Sequence, residues 1–289
     1  MPNKPKIRVS LSVIGFKQRA MDTWGLEEYT NWENPDVLFF GLYTKQDYDA
    51  FLRHKGKKRV FWCGSDIQNL LSNYESRRIL KLFPETEHYC ENEVEAEELK
   101  RVGIEPKIVP SFLDNVNNYP VSYRHSKTPH IFLCGHDKRE EEYGIDIVKR
   151  IADRVPETTF HIYGIDKSST YFETSKKNEL VDLDIEHPNI WYHGKVPEGQ
   201  FNYEIMNYHC GLRPNEHDGF SEVIAKSLFL GQYPISRIPY EKIWSYKTDD
   251  ELIALIEKLK YTTNPNYEAR SYYQKTINQF PWCKREYAE

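Results

Sequence analysis

The sequence predicts an α/β protein built from two doubly wound parallel sheets that follow one another along the chain. Short apolar runs rich in β-branched and aromatic residues alternate with amphipathic helical stretches almost throughout, which is typical of βαβ units. This alternation stops once, in a polar segment at 114–128, and then restarts. Because 289 residues suffice for two ordinary domains, we predict an N-terminal domain at 1–120 and a C-terminal domain at 121–266. A last helix within 267–289 is expected to pack back on the first domain.

The first half contains a strand pattern before nearly every helical pattern. Each strand is a short run of apolar or β-branched residues, and the helix at 93–102 is strongly acidic. The predicted strands lie at 7–16, 36–42, 59–63, 87–90 and 107–109, and the predicted helices at 45–54, 66–82 and 93–102.

The second half repeats the pattern. The helix at 249–260 is amphipathic, because its leucine and isoleucine residues recur at helical spacing on one face. The predicted strands lie at 130–134, 159–163, 190–193, 208–212 and 233–236. The predicted helices lie at 144–155, 198–207, 249–260 and 267–279, and a further helix follows the turn after 212 and ends at 230. Since ligands bind at the carboxyl ends of such strands, two halves of this kind are expected to face a cleft lined by the loops after the strands.

Composition narrows the class of protein. The net charge of −5 gives no general reason to expect a polyanionic partner, although a local basic groove is compatible with it. The five cysteines form no CxxC pair, so buried reduced thiols are favoured over a zinc site. The N-terminal residues lack the apolar core of a signal peptide, and no apolar run approaches membrane-spanning length. We therefore expect a cytoplasmic protein without a stable membrane span.

The most informative segment is 213–231. A polar turn containing a glycine joins an apolar strand to a helix that Gly231 closes. Backbone N–H groups at a helix start are unpaired and carry positive partial charge, so they suit a phosphate. An acidic side chain beside them, here Asp218, can hold sugar hydroxyls. The segment therefore indicates a nucleotide-sugar site.

Residues 129–260 resemble the donor-binding domain of GT-B glycosyltransferases, particularly the retaining family 4. The resemblance is carried by the order and spacing of five pieces, at 131–135, 143–144, 160–164, 189–194 and 213–231. It implies two Rossmann-like domains facing a cleft, a nucleoside-diphosphate sugar such as a UDP-sugar as donor, and transfer of a hexosyl or pentosyl group with retention. No cofactor and no metal is expected.

In the resembling family, an acidic residue, a short turn and a second acidic residue eight positions on hold the donor. Asp218 stands at the first acidic position, where a plain helix N-cap is the alternative role. The N–H groups of Gly219, Phe220 and Ser221 are expected to face the sugar or its phosphates. The second acidic position is Lys226, which departs from the pattern and suits an ion pair with Glu222 one turn earlier.

Basic residues are expected at the diphosphate. Gly135 ends the first strand of the second half, and Lys138 and Arg139 follow it where the family places a cation that stabilises the leaving diphosphate. Tyr143 replaces the family's second basic residue, and Arg213 is a third candidate. The alternatives are a solvated charged loop for Lys138 and Arg139 and a strand-end salt bridge for Arg213.

The acceptor side is expected in the first half. Related transferases carry a turn like Gly64-Ser65-Asp66 on the cleft wall, here preceded by Trp62, and Asp66 is placed to orient or deprotonate an acceptor hydroxyl. A helix N-cap is the alternative role of Asp66. Gly15 and Phe16, after the first strand, are also expected to line the cleft.

The acceptor itself is left open. A saccharide or lipid-linked glycan is the default, and a hydroxymethylated DNA base is an alternative. A flipped base would need aromatic and basic groups, for which Trp24, Trp32, Arg53 and the run 55–59 are candidates. A further alternative is a non-catalytic nucleotide-sugar-binding protein, which Lys226 in place of an acid would suit.

The sequence lacks the motifs of several other enzyme classes. The sequence contains no GxxxxGK[ST] loop, no GxGxxG after either first strand and no GxSxG, which argues against P-loop kinases, dinucleotide oxidoreductases and α/β-hydrolases. Asp182-Leu-Asp184 matches the DxD metal motif, but it lies in a polar stretch rather than after a buried strand, so we interpret it as coincidence.

Overall fold

The computed structural model describes residues 4–30, 36–166 and 187–283, and the chain divides into two compact units. Trp32 and the Asp182-Leu-Asp184 motif lie outside the described residues. Unit 1 comprises Met1–Asn118, His217–Phe220 and Tyr273–Glu289, and unit 2 comprises Tyr119–Glu216 and Ser221–Tyr272.

Unit 1 is a parallel five-stranded sheet in the order β1-β2-β3-β4-β5. Successive side chains of a strand point to opposite faces of the sheet. Both faces are covered, so the strand side chains pack alternately into two apolar cores. Its elements are β1 (Lys6–Val9), a 3-10 helix (Leu11–Phe16), α1 (Lys17–Trp24), β2 (Asp36–Phe40), α2 (Lys45–Arg53), β3 (Lys57–Phe61), α3 (Ser65–Ser72), α4 (Tyr74–Lys81), β4 (Glu87–Cys90), α5 (Glu93–Lys100), β5 (Lys107–Ile108) and a 3-10 turn (Val116–Asn118).

The direction of winding in unit 1 reverses at β1. The Ile7 N–H donates to the Glu27 carbonyl and the Tyr29 N–H donates to the Ile7 carbonyl, both at 2.8 Å, so the chain after α1 runs along the free side of β1. The next strand, β2, pairs with the other side. Helix α1 packs in the core of Phe40, while α2, α3 and α5 pack in the core of Phe39. Helices therefore cover both faces, and the unit is doubly wound.

Two sequence predictions for unit 1 are wrong at their boundaries. The strand predicted at 7–16 ends at Val9, because Ser10 caps a 3-10 helix and its side chain accepts from the Ser12 N–H. The helix predicted at 66–82 is two helices. Asn73 has extended backbone angles and its side chain accepts from the Ser76 N–H, so it ends α3 and caps α4.

Unit 2 is a parallel six-stranded sheet in the order β11-β10-β9-β6-β7-β8. The sequence predictions agree with its helices to within a few residues, but β11 was not predicted. Its elements are β6 (His130–Cys134), α6 (Ile145–Ala152), β7 (Thr159–Tyr163), β8 (Ile190–Gly194), α7 (Glu198–Ile205), β9 (Cys210–Arg213), α8 (Glu222–Phe229), β10 (Ile235–Ser236), β11 (Trp244–Ser245) and α9 (Asp249–Leu259); α10 (Tyr267–Thr276) contains residues of both units.

The strand order of unit 2 reverses between β6 and β9. From β6 the chain adds β7 and β8 on one side, and then adds β9, β10 and β11 on the other. Ile131 of β6 lies opposite Phe160 of β7 and opposite Cys210 of β9, and all three side chains are buried. Successive loops at the carboxyl ends of β6 and β9 therefore run to opposite faces of the sheet, which leaves a crevice where ligands bind in such folds.

Two features are not found within residues 4–30, 36–166 and 187–283. None of the helices there combines the length and the apolar character that crossing a membrane requires. No group of three or more His, Cys, Asp or Glu side chains in these ranges is arranged to hold a metal ion. The cytoplasmic location and the metal independence expected from the sequence stay predictions.

Candidate functional site

The carboxyl ends of β6 and β9 in unit 2 form the candidate donor site. Helix α6 begins beside them at Gly144, whose φ of 65° is in the left-handed region that favours glycine. A Cβ on Gly144 would overlap the Cβ of Pro214, so the start of α6 packs directly against the residue that follows β9. Gly135 continues β6, because its N–H donates to the Tyr163 carbonyl at 2.8 Å. The predicted phosphate loop, the helix start and the end of β9 thus lie together.

Arg213 ends β9 and is supported by an aromatic ring. Its guanidinium lies over the ring of Tyr143, with 4.9 Å between Cζ and the ring centroid. Tyr143 therefore does not replace the family's basic residue as a charge; it supports one that comes from β9.

Three charged side chains near the end of β6 change the pKa of the Cys134 thiol. Burial raises the pKa of its thiol to about 11, while Arg213 and Lys226 lower this pKa and Glu222 raises it. These three charged groups therefore lie near Cys134, the last residue of β6, and their role towards a donor stays a prediction.

Lys138 and Arg139 lie in an exposed loop. Arg139 contacts Glu142 at 3.4 Å, in a pair of which both side chains are more than half exposed. The Lys138 N–H donates to His136 Nδ1 at 3.3 Å. Such a surface pair contributes little to stability, so it leaves Arg139 available to a ligand. The phosphate role of both residues stays a prediction.

Lys226 pairs with Glu198 rather than with Glu222. Its side chain is 3% exposed, and its Nζ donates to Glu198 Oε1 at 3.0 Å and to Asn202 Oδ1 at 2.9 Å. The expected pair with Glu222 does not form because the Lys226 side chain is buried against α7, where Glu198 and Asn202 accept from its ammonium.

Ser221, not Asp218, is the N-cap of α8. The Ser221 side chain accepts from the Val223 N–H at 3.2 Å, so the capping alternative for Asp218 is wrong. Asp218 Oδ1 accepts from the Gly219 N–H at 3.1 Å, and the Asp218 carbonyl accepts from Asn92 Nδ2 at 2.8 Å.

The N–H groups of Gly219 and Phe220 are directed at carboxylates of unit 1. The Phe220 N–H donates to Glu91 Oε2 at 3.0 Å, and the Gly219 N–H donates to Asp218 as described above. A Cβ on Gly219 would overlap Glu91 Oε2, so only glycine permits this approach. The expectation that these two amides face a ligand is therefore wrong for this conformation, since Asp218 and Glu91 already accept from them.

Asp66 is fully buried and holds two loops of unit 1 together. Its Oδ1 accepts from the Cys63 N–H at 2.9 Å and its Oδ2 from the Leu42 N–H at 3.2 Å. Burial raises the pKa of this carboxyl to about 6, against the opposing effect of those hydrogen bonds. The N-cap of α3 is Gly64, so Asp66 is not the cap. This geometry supports a structural role, and its role towards an acceptor hydroxyl stays a prediction.

The remaining acceptor-side candidates divide between core and surface. Trp62 is fully buried and its Nε1 donates to His88 Nδ1 at 3.3 Å, so the expectation that it lines a binding surface is wrong. Ser65 and Gly15 are exposed, and Phe16 is 40% exposed in the 3-10 helix that follows β1. Gly64 has φ of 97°, which lets the chain turn from β3 into α3.

Sequence reasoning missed a buried carboxyl pair, Glu91 and Glu95. Glu91 Oε1 accepts from the Ser111 N–H at 3.1 Å and from Ser111 Oγ, and Glu95 Oε2 accepts from the Glu91 N–H at 2.7 Å. Among the described residues, Glu95 Oε1 is buried without a hydrogen-bond partner. Burial raises the pKa of Glu91 to about 8 and the pKa of Glu95 well above its usual range. The signal in the sequence was the position of Glu91 directly after β4.

Replacing Glu95 by glutamine is expected to stabilise the protein at pH 8 by about 1–3 kcal/mol, because burial forces the parent carboxyl to take up a proton on folding at that pH, whereas glutamine is neutral in both states. A carboxyl whose pKa is raised by folding contributes stability that is fully present below about pH 4.5 and is lost as the pH rises through the raised value. The E95Q variant should therefore show a smaller loss of Tm between pH 5 and pH 8 than the parent protein. E97Q, at an exposed position of the same helix, is the control. Equal pH dependence in E95Q and the parent would contradict the assignment.

The groups considered for a flipped DNA base divide between core and surface: Trp24, Lys58 and Arg59 are buried, whereas Arg53, Lys55 and Lys57 are exposed. Trp24 is 2% exposed, and its Nε1 donates to Asn278 Oδ1 at 3.1 Å. Lys58 and Arg59 are 7% and 6% exposed, and Arg59 is paired with Asp36 at 2.9 Å and Glu87 at 3.1 Å. The three buried side chains therefore belong to the interior of unit 1 and cannot contact a base. Lys57 pairs with Glu87 at 2.7 Å, Arg53 and Lys55 remain on the surface, and the DNA acceptor stays an untested alternative.

Comparison with known proteins identifies the fold. No family model matches the sequence, and no curated protein matches it. Solved structures do match: the lipopolysaccharide outer core galactosyltransferase WaaB in its apo form has a TM-score of 0.61 at 13% identity, covering 92% of this chain and 75% of that one. Anabaena HepE in complex with UDP and glucose has a TM-score of 0.57 at 11% identity, covering 83% and 74%.

A third match is S. aureus TarM in complex with Fondaparinux, alpha-GlcNAc-glycerol and UDP, with a TM-score of 0.57 at 12% identity, covering 86% of this chain. The chain spans about half of TarM, 54% of its length. The chain has a GT-B fold. The predicted fold class, α/β with two Rossmann-like doubly wound units, is confirmed.

Proposed function

We propose that this protein is a glycosyltransferase that takes a sugar from a nucleoside-diphosphate sugar, such as a UDP-sugar, and transfers it to an acceptor hydroxyl. The observation that carries the proposal is the convergence of Arg213, the start of α6 and the loop after β6 at the point where the strand order of unit 2 reverses. A nucleotide diphosphate is the ligand class that such an edge binds best.

The chemistry follows from where negative charge develops. As the bond between the sugar and the diphosphate breaks, charge accumulates on the leaving diphosphate, and fixed cations stabilise it most. Arg213 and Arg139 can bind two phosphate oxygens each, because a guanidinium is a planar fork of donors. The N–H groups at the start of α6, whose N-cap Gly144 offers no side-chain acceptor, add a partial positive charge.

The finer points of the proposal come from the resemblance and the matched structures. We propose transfer with retention, a saccharide or lipid-linked glycan acceptor, and no metal. The matched structures support the saccharide acceptor and the UDP donor, since WaaB is an outer core galactosyltransferase and HepE and TarM bind UDP. The donor role of Asp218 is retained as part of the proposal.

A non-catalytic binding protein is the second candidate, favoured by the ammonium of Lys226 where the resembling family has an acid. Such a protein would bind the nucleotide sugar at the same edge of unit 2 without turning it over.

The test is a thermal-shift and calorimetric screen of the full chain against UDP, UDP-glucose, UDP-galactose and UDP-GlcNAc. A ligand bound only by the folded state at 100 times its Kd stabilises the protein by about 2.7 kcal/mol. Binding together with slow release of free sugar from one of the donors supports the enzyme. Binding without hydrolysis or transfer to any saccharide acceptor supports the second candidate, and no binding of any nucleotide contradicts both.

A further inference from the structure

Three histidines of unit 2 are hydrogen-bonded to one another across three neighbouring strands. His130 Nδ1, at the start of β6, lies 2.9 Å from His161 Nε2 of β7, and His161 Nδ1 lies 2.9 Å from His193 Nε2 of β8. Both distances are those of N–H···N hydrogen bonds. His161 is 3% exposed, and the other two residues are half-buried. We call these three residues the histidine ladder.

Two tyrosine rings and a carboxylate face the ladder from the elements packed against it. The ring of Tyr208, which precedes β9, is stacked on His161 with 4.2 Å between centroids, and the ring of Tyr163 is stacked on His193 at 4.5 Å. Glu204 of α7 accepts from the Tyr163 hydroxyl at 2.6 Å, which lowers the pKa of its carboxyl. Because Glu204 Oε2 lies 3.9 Å from His193 Nδ1, this end of the ladder faces a negative charge.

A fourth histidine borders the other end of the ladder. His209 Nδ1 accepts from the backbone N–H of His130 at 2.9 Å, so this nitrogen cannot carry a proton while the bond exists. Tyr123 lies edge-on to the His209 ring, with 6.1 Å between centroids. Burial, together with the nearby His130 and His125, lowers the pKa of His209 to about 4. His209 therefore stays neutral at pH values where a free histidine takes up a proton.

The number of protons that fit the ladder follows from its hydrogen bonds. Each of the two N–H···N bonds holds one proton, and the two outer nitrogens, His130 Nε2 and His193 Nδ1, can hold one proton each. Three neutral rings carry three protons, so the ladder can take up one more with both bonds intact. A further proton would place two hydrogens between the same pair of nitrogens and break that bond. In the unfolded chain all three rings can be protonated at once.

Burial opposes protonation of the three rings. It lowers the pKa of His130 and also that of His193, where Glu204 acts in the opposite direction. Burial and repulsion from the other two rings lower the pKa of His161 to about 3. A histidine whose pKa is lowered by folding contributes stability that is fully present above about pH 6.5 and is lost progressively as the pH falls towards the folded value. The sheet of unit 2 should therefore lose stability between pH 6.5 and pH 5.

We propose that the histidine ladder is an acid-sensitive switch of unit 2, which holds β8 on β7 and β6 while it carries at most one added proton and breaks when a second proton enters. Among the strands that the structure describes, β8 pairs only with β7, so β8 is released first. Glu204 favours the broken state at low pH, because its carboxylate can pair with a protonated His193. The switch concerns the stability of the sheet, so it does not depend on the proposed function.

The experiment measures hydrogen exchange of the β8 amides in the full chain between pH 7.5 and pH 5, corrected for the intrinsic pH dependence of exchange. Each proton that the open state binds in excess raises the opening constant about tenfold per pH unit. The open ladder binds three added protons and the closed ladder one. The opening constant of β8 in the parent protein should therefore rise by up to about 100-fold per pH unit below pH 6, while β6 stays protected to lower pH.

Variants of the ladder test the proton count. H193Q leaves two rings and one N–H···N bond, so the excess falls to one proton and the rise to about tenfold per pH unit. H161F removes both bonds, so His130 and His193 titrate separately and the rise should be smaller still. H125Q is the matched control, because His125 is an exposed histidine of unit 2 outside the ladder, and it should keep the parental pH dependence. If H161F does not fold, H193Q at the half-buried end still tests the count.

NMR titration of the imidazole rings in the folded parent gives an independent measurement. At pH 5 the three rings of the ladder should together carry no more than one added proton, whereas the exposed His125 should be protonated. Two or three charged rings in the ladder with β8 still protected would overturn the inference. So would a parent protein whose β8 does not open in acid, or equal pH dependence of opening in H193Q and the parent.

Discussion

Replacement of Arg213 by methionine should lower kcat/KM for donor turnover by about 10²- to 10³-fold, the loss typical when one group that stabilises transition-state charge is removed. The residue ends β9, and its guanidinium is held over Tyr143 next to the start of α6. Methionine retains the length and apolar character of the side chain and removes only the charge and its donors. Steady-state release of UDP from the best donor of the screen measures the effect.

Two further variants separate charge from geometry. R213K keeps a cation but loses the planar fork and the stacking on Tyr143, so its activity should lie between those of R213M and the parent. R154M removes an arginine that pairs with Asp250 on the surface of unit 2, and it should leave turnover within about twofold. If R213M retained parental kcat/KM with the same Tm, the donor site would not lie at the end of β9.

The fold was predictable because its hydrophobic periodicity is regular. Most helices and each strand of four or more residues carry their own signal, and the polar stretch at 114–128 separates the two halves. The exception is α1 (Lys17–Trp24), which was not predicted. The boundaries that failed depend on single capping side chains, Ser10 and Asn73, which compete with the apolar pattern. β11, with two residues, is too short for periodicity to reveal.

The sequence could predict that two residues of the candidate site lie close together only where both follow the ends of parallel strands. Arg213 and Gly135 follow this rule, since parallel strands end at one edge. Contacts between residues that are far apart in the sequence and do not follow strand ends have no comparable pattern in the sequence. The partner of Lys226 is 28 positions earlier, and that of the Phe220 N–H is 129 positions earlier, so both depend on how the helices pack.

The histidine ladder of unit 2 shows the same limit. His161 Nε2 lies 2.9 Å from His130 Nδ1, and His161 Nδ1 lies 2.9 Å from His193 Nε2, across three neighbouring strands. Burial lowers the pKa of His161 to about 3 and also lowers the pKa values of His130 and His193, so the neutral form of each ring is favoured at pH 7. No local sequence motif predicts this row of histidines, because only the register of β6, β7 and β8 places the three rings side by side.

The second large effect is expected at Gly144, where alanine should destabilise unit 2 by about 3 kcal/mol. Part of the cost is the left-handed backbone, with φ of 65°, which costs an L-residue about 1–2 kcal/mol. The rest is steric, since the new Cβ would overlap Pro214. Denaturant unfolding followed by tryptophan fluorescence measures the loss, and nucleotide binding should weaken with it because Pro214 directly follows Arg213.

Gly194 provides a control for the backbone contribution alone. Its φ of 67° nearly equals that of Gly144, but the nearest atom to an added Cβ is Asp166 Cγ at 4.0 Å, an ordinary contact distance. G194A should therefore show only the backbone cost, and the difference between the two variants isolates the contact between the start of α6 and the end of β9. Tyr143 and Arg213, which are in contact, directly precede Gly144 and Pro214 in the chain. Equal destabilisation in both variants, with unchanged nucleotide affinity in G144A, would mean that the packing of Gly144 on Pro214 does not shape the donor site.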